Sequence, residues 1–368
     1  MPPSPLPFRA DAAASSIPNV TVDSRANPAT VLLLDHGPTS PQPRGYRHRV
    51  STEMVFHHLD DHVEDEGRST AAEAVTCDHA GVDAIASVLA LTDPERADTL
   101  RRFLIEAAAA GDYLTARDRQ PARAAMAIRT LTDPHRSPIG AELADLSATD
   151  QLDALVARGI PILLGMAADA ERHRDLWILE DQHLRASEGA FERGDVRVVE
   201  HPIDHLSVVT LAPHVAIEPP EGLTADYLVR SGSGHGGHWP TTPADGGLHP
   251  MVFNRASRGT RQLLVRDRHY RYVDRPESWF QYPGRVATRV DLRPIALDLN
   301  FLEGSEVWSA TPPSIPVAGL ATTEPSTLDL DTVLNLIVRQ LRTAPVAWSP
   351  EADTGPSIGA PPSGWTRG

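Results

Sequence analysis

Two stretches of this chain end an apolar, β-prone run in the same dipeptide. V-L-L-L-D-H delivers Asp35 and His36, and A-V-T-C-D-H delivers Asp78 and His79. Asp83 follows four residues after His79, where an apolar, helix-like segment begins. In an open parallel sheet, ligands bind beyond the carboxyl ends of the strands. If these two strands are neighbours, two imidazoles and up to three carboxylates converge at one sheet edge. That donor mix suits Mn²⁺, Zn²⁺ or Fe²⁺, and its oxygen content leans toward Mn²⁺ or Mg²⁺. Two such ions would orient a water, lower its pKa and neutralise phosphate charge. Further carboxylates are needed to complete such a site. Asp112 in A-G-D-Y and Asp133 in T-D-P-H are the candidates.

A second group of residues could hold an anion. R-S-G-S-G-H-G-G-H-W, residues 230–239, combines glycines that let backbone N–H groups approach a ligand with His235 and His238 as donors, Gly234 preceding the first. Arg285 and Arg289, around W-F-Q-Y-P-G-R-V-A-T-R, could clamp a phosphate or carboxylate through two N–H groups at once. Other polar residues have plainer readings. His57, His58 and His62 follow helical spacing among Asp60, Asp61 and Glu64, as a solvated helix face would. His173 and His183 are expected to face water. Trp279 and Trp308 are expected to fill a core, and Cys77 is expected to be structural.

Composition removes several alternatives. All 34 basic residues are arginine, so neither a lysine Schiff base nor a P-loop lysine is available. The absence of lysine fits GC-rich coding, as in actinobacteria. One cysteine permits neither an intramolecular disulfide nor a cysteine zinc cluster. A net charge of -15 argues against nucleic acid as a partner. No apolar run approaches the ~20 residues of a membrane span, and the first residues do not resemble a secretory signal. A cytoplasmic protein with a small anionic substrate, and no membrane or nucleic-acid partner, is the expectation. There is no G-x-S-x-G elbow, P-loop, G-x-G-x-x-G after a strand, or H-E-x-x-H.

The elements that must position these residues alternate. Strands near 29–37 and 74–77 alternate with helices starting near Ser51, Asp83 and Pro94. More helical patterns cover 121–130, 139–158 and 162–193. This predicts an α/β unit with a parallel sheet, its first strand buried on both faces. Beyond Gly194 the segments D-V-R-V-V-E-H, L-S-V-V-T-L-A, M-V-F-N-R, R-Q-L-L-V-R, H-Y-R-Y-V and E-S-W-F-Q read as strands. Helices are expected after Asp291 and after Ser326. The expected organisation is a disordered tail over 1–29, an α/β domain over 30–193, a strand-rich α+β domain over 194–344 and a second tail over 345–368, with the ligand in the cleft between the domains.

With these residues in view, the chain resembles the DHH phosphoesterase superfamily. His79-Ala-Gly-Val-Asp83 is similar to its H-x-D-x-D motif, and L-L-L-D-H-G followed by S-T-E-M-V-F-H-H-L is similar to its name motif and the helix after it. The order is reversed, which implies a circularly permuted DHH-like domain. Gly37 stands at the second histidine of the name motif, Gly81 at the first aspartate of H-x-D-x-D, and Ala84 at its closing glycine. Gly234-His235 resembles the end of the superfamily's phosphate-gripping loop. The chain as a whole also looks like an uncharacterised bacterial group of unknown function. The resemblance implies a divalent-metal-dependent hydrolase, with Mn²⁺ held by Asp35, His36, Asp78, His79, Asp83 and Asp112, and with His79 and Asp83 in the catalytic roles. Two other readings follow from the same departures. One is a decayed scaffold that binds a ligand or a partner; the other is a metal-dependent biosynthetic enzyme. The sequence does not fix the oligomeric state.

Overall fold

Three short parallel strands carry the Asp-His dipeptides. They are β1 (Asn19–Val22), β2 (Thr30–Leu34) and β3 (Ala74–Thr76), in the order β2-β1-β3. They belong to a computed structural model that describes residues 5–37, 40, 48–64, 72–218, 220, 221, 223, 242–274, 289–311 and 319–348. The middle strand comes from the segment expected to be a disordered tail. Helix α1 (Asp11–Ala14) and β1 lie there. The reason is local: β1 is half polar, yet every residue of N-V-T-V is buried. Val20 and Val22 enter the core. Asn19 Nδ2 donates to the carbonyls of Ala14 (3.0 Å) and Ile17 (2.8 Å), and the Thr21 and Thr30 hydroxyls pair at 2.7 Å. Satisfied in this way, the polar residues cost little to bury. The expectation that V-L-L-L is buried on both faces is corrected: β2 has one strand neighbour, and Val31 is 51% exposed.

Helices cover this sheet. α2 (Ser51–Glu64) follows β2, and α3 (Val82–Thr92) follows β3. The apolar α3 is buried from Val82 to Leu91 and forms the centre of the first core. Around it pack α4 (Pro94–Thr99), α5 (Arg101–Asp112), α6 (Arg119–Thr132) and α8 (Ala148–Ala168); α9 (Arg174–Glu192) packs on α6, and the short α7 (Gly140–Leu143) has no buried residue. The helices expected at 139–158 and 162–193 divide elsewhere. Pro161 lies inside α8, and the break comes at Asp169, which caps a 3-10 turn over Ala170–His173. Among the described residues α8 is the one helix long and apolar enough to cross a membrane by length and composition. Its Leu152, Val156, Leu163 and Met166 join the core.

The second sheet runs β4-β5-β6-β7-β10-β9. Its strands are β4 (Val196–His201), β5 (Leu206–Leu211), β6 (Arg261–Arg266), β7 (His269–Asp274), β9 (Trp308–Ala310) and β10 (Gly319–Thr322); β8 (Arg289–Val290) pairs separately with β11 (Val346–Trp348). All pairs are antiparallel except β5 with β6. The architecture is therefore α/β, with a parallel first sheet and a strand-rich mixed second part. The central strands β5, β6 and β7 are buried on both faces, with alternate residues entering different clusters. Val209 and Leu264 face the first core; Val208 and Leu263 face a second cluster with α11 (Arg293–Glu303) and α12 (Leu330–Thr343). The chain crosses near Gly194, but the first core continues across it. Trp308 is buried and stacks on Tyr270, as expected of a core tryptophan.

Two further expectations change. M-V-F-N-R is not a strand: α10 (Pro250–Ala256) holds it, with Pro250 in the first turn and the His249 ring accepting from Met251 N–H. Five-residue apolar runs do not separate strand from helix by period, and Pro at the first helical position was the available signal. His58 and His183 do not face water but are 5% and 1% exposed. The loss of water pulls the His183 imidazole down to about 4.

Candidate metal centre

The carboxyl ends of the three strands deliver side chains to one point. β1 ends in Asp23, which takes a left-handed conformation (φ 47°) that aspartate tolerates better than most residues. β2 ends in Asp35 and His36. β3 leads through buried Cys77 to Asp78 and His79. The helices supply the rest. Asp83 sits in the first turn of α3, and Asp112 closes α5. Gly111 lets these helices approach closely: a Cβ there would lie 3.0 Å from Val82 Cβ. Ligand atoms of Asp23, His36, Asp83 and Asp112 all fall within 4.8 Å of one another, and all four residues are buried.

The hydrogen bonds fix which atoms face the centre. The Tyr113 hydroxyl donates to the carbonyl of Arg49 at 2.6 Å and lies 2.6 Å from His36 Nδ1. Burial pushes the phenol's pKa up, so it keeps its proton. With that proton spent on Arg49, the hydroxyl accepts from His36 Nδ1–H, so Nε2 is the ring nitrogen that faces the acids, carrying a proton in the metal-free site and free to offer a lone pair where a cation replaces that proton. His36 Nε2 stands 3.1 Å from Asp23 Oδ1, 3.3 Å from Asp112 Oδ2 and 3.7 Å from Asp83 Oδ2. His79 repeats the arrangement. Its Nδ1 is 2.7 Å from Asp78 Oδ1, itself held by Ser24 Oγ at 2.9 Å, and its Nε2 is 3.2 Å from Asp23 Oδ2. The Asp23 carboxylate thus lies between two imidazoles, one oxygen toward each. Anchoring Nδ1 to orient Nε2 is the usual second-layer arrangement of metal-binding histidines.

Asp83 also holds the fold together. Its Oδ2 accepts from Ser51 N–H (2.6 Å), and its Oδ1 accepts from Thr52 N–H (2.7 Å) and Thr52 Oγ1 (2.6 Å). It caps the start of α2 from another helix. Asp112 is different: among the described residues no backbone or hydroxyl donor reaches its carboxylate, and its polar neighbour is the His36 ring. It also lies at the C-terminal end of a helix, where partial negative charge accumulates.

Electrostatics favour a cation here. Burial pushes the Asp83 carboxyl well up, reinforced by the charges of Asp23 and Asp112. Burial opposes the charge of Asp23 as well, but hydrogen bonds from His36 and His79 outweigh it and hold the group well below the carboxylate range. Burial lowers both imidazoles, and their acidic neighbours, with Tyr113 at His36, carry them well above the ordinary histidine value. Without a metal, therefore, protonated histidines serve as the counter-charge. The Asp112 oxygens that no backbone or hydroxyl donor reaches, the acceptor-rich centre and the outward-anchored Nδ1 atoms fit a divalent cation, which would replace those protons.

The family model described as "Family of unknown function (DUF6687)" matches residues 2–352. The chain belongs to this family. Among curated proteins none matches it.

Of the sequence-derived candidates in this DUF6687 chain, His36, Asp83 and Asp112 meet in the four-residue cluster, and His79 joins them through Asp23. Asp78 is half exposed and reaches the centre through His79. Asp35 is buried beside His36 but is not one of the four. Asp133 ends α6 and accepts from His135 N–H, so between it and Asp112 the geometry selects Asp112. Gly234, His235, His238, Arg285 and Trp279 lie outside the described residues. Arg289 opens β8, pairing with Trp348. The site lies at the carboxyl end of the first sheet. Sequence reasoning missed Asp23 and Tyr113. N-V-T-V-D-S ends in aspartate as V-L-L-L-D-H does, which was a usable signal. Tyr113 directly follows Asp112 but carried no pattern of its own. The absent aspartate at Gly81 has a structural counterpart: a Cβ there would lie 3.7 Å from Asp23 Oδ2, so Asp23 occupies the space such a side chain would enter.

Proposed function

We propose that this protein is a divalent-metal-dependent hydrolase acting on a small anionic, phosphorylated compound, with Mn²⁺ as the metal. The single observation that carries this reading is the convergence of Asp23, His36, Asp83 and Asp112 at one buried point. Oxygen-rich mixed sites of this kind suit Mn²⁺ better than softer-ligand metals. Bound there, divalent ions would lower the pKa of a water and neutralise charge on a phosphoryl group. In this reading Asp112, His36 and Asp23 would hold one ion, and His79, on the other side of Asp23, would begin a second position. Asp83, whose oxygens are occupied by α2, positions the first group. His79 is the most exposed imidazole of the set, 29% accessible in its side chain, while its Nε2 is buried against Asp23. Asp78 orients it. The resemblance to DHH phosphoesterases points the same way.

Metal analysis of the purified chain, followed by a panel of phosphomonoester and nucleotide substrates with Mn²⁺, tests the proposal. Metal near one or two equivalents, lost in His36→Ala and His79→Ala, together with turnover, is the expected result. A protein that takes up no Mn²⁺, Zn²⁺ or Fe²⁺ and gains no thermal stability from them would return the chain to a ligand-binding scaffold. Metal uptake without hydrolysis of any phosphate ester would favour the biosynthetic alternative.

A further inference from the structure

Five arginines, Arg49, Arg101, Arg102, Arg117 and Arg255, line a cleft of about 810 Å³, with Glu106 as the one carboxylate among the lining residues. They come from separate parts of the chain: the approach to α2, the start of α5, the loop after α5 and the end of α10. Three already have carboxylate partners. Arg101 binds Asp60 through two N–H groups (2.6 and 2.7 Å), Arg102 meets Glu106 and Asp118, and Arg255 meets Glu188. Arg49 and Arg117 have no side-chain partner among the described residues. The wall is held rigidly. Asn254 Nδ2 donates to the carbonyls of Tyr113 (2.9 Å) and Leu114 (3.3 Å), and Leu114 is kept at a left-handed φ of 52°, which is costly for a bulky residue.

We propose that this cleft is a binding site for a multiply charged oxyanion, a phosphate or polycarboxylate group, separate from the metal ligands. A guanidinium has five N–H donors in a planar fork that matches both chemistries. Arg49 and Arg117, which have no carboxylate partner among the described residues, supply charge that those residues do not neutralise. The three paired ones keep N–H groups to share and are pre-positioned by their partners, which lowers the ordering cost of binding. The site needs no metal, so it stands or falls independently of the hydrolase reading.

Calorimetric titration of the full-length chain, stripped of metal with a chelator, with inorganic pyrophosphate and separately with citrate tests this. Heat with a dissociation constant below about 1 mM for either anion is expected, and the stronger arm names the source chemistry. Arg49→Gln with Arg117→Gln should weaken it by about tenfold or more, and high salt should weaken it further. Both substitutions leave the Arg49 carbonyl that Tyr113 uses, and Arg117→Gln alone changes an exposed side chain, so at least one variant remains folded. Asp112→Asn should leave the affinity unchanged. No heat with either anion, or equal affinity in the double variant, overturns the proposal. So does loss of binding in Asp112→Asn with Arg49→Gln/Arg117→Gln unaffected, which would move the anion to the metal centre.

Discussion

The Tyr113 hydroxyl stands 2.6 Å from Nδ1 of His36 and gives its own proton to the Arg49 carbonyl. One phenol therefore decides which imidazole nitrogen is available to a metal. Tyr113→Phe keeps the ring's packing and deletes that decision. Such orienting partners typically contribute 10–100-fold in metal affinity. Tyr113→Phe is expected to bind Mn²⁺ about 10–100-fold more weakly, with a metal-free melting temperature that changes little. Titration with Mn²⁺ against a fluorescent competitor reads the first, and a thermal melt reads the second. Unchanged affinity would show that His36 needs no orientation.

Asp112→Asn separates function from stability. The carboxylate is buried, faces Asp23 and Asp83, and has the His36 ring nitrogen 3.3 Å away as its counter-charge. Replacing it with a neutral isostere removes like-charge repulsion in the metal-free protein. Each pKa unit relieved at a neighbour is about 1.4 kcal/mol. The lost attraction to protonated His36 offsets that relief, so the metal-free variant should stay within about 1 kcal/mol of the parent, while its stabilisation by Mn²⁺ largely disappears. Denaturant titrations with and without Mn²⁺ measure both. A larger loss of stability in the metal-free variant would mean that Asp112 serves the fold.

The pH dependence of metal-free and metal-loaded protein should run in opposite directions. His36 and His79 have folded-state pKa values raised well above 6.5 by neighbouring carboxylates, with Tyr113 adding to the shift at His36. Groups raised in this way stabilise the fold fully below the unfolded value. That contribution is lost as pH rises from ~6.5 through the folded values. Metal-free protein should therefore lose stability toward alkaline pH. Metal binding requires those protons to leave, so Mn²⁺ affinity should rise over the same interval. Melting temperatures from pH 6 to 9, with and without Mn²⁺, would diverge. Parallel curves would exclude the two histidines as the groups displaced by metal.

How much of this site the sequence disclosed depended on the company each residue keeps. Asp35-His36 and Asp78-His79 end apolar runs, and strand ends of that kind are readable. The α/β class followed from the same alternation. Asp23 was hidden because Asn19 and Thr21 make β1 look like loop; their hydrogen bonds to Ala14, Ile17 and Thr30 exist only once the chain has folded. Asp112 could be named but not chosen over Asp133, since its neighbours come from β1, β2 and α3. The helix at Pro250–Ala256 was obscured by β-prone Val252 and Phe253, whose burial is set by packing across the first core rather than by local preference. The arginine cleft left no motif, because its members come from separate segments.

Gly81→Ala tests whether Asp23 bridges two ions. The glycine begins α3, and a Cβ there would lie 2.9 Å from His79 Nε2, closer than an unshifted ring allows. His79, tied to Asp78 on one side and Asp23 on the other, would have to swing away from Asp23. Asp112 and His36 lie on the other side of the Asp23 carboxylate and need not move. If the centre holds two ions, Gly81→Ala should retain one Mn²⁺ of near-parental affinity and weaken the second by roughly tenfold or more, the loss expected when an orienting contact is broken. Counting bound Mn²⁺ by electron paramagnetic resonance as the free ion is titrated reads both. A parent with one equivalent would leave Asp23 a ligand to a single ion, with its hydrogen bond to His79 serving only to orient it. If the parent binds two and Gly81→Ala still binds both at full affinity, His79 is not what holds the second.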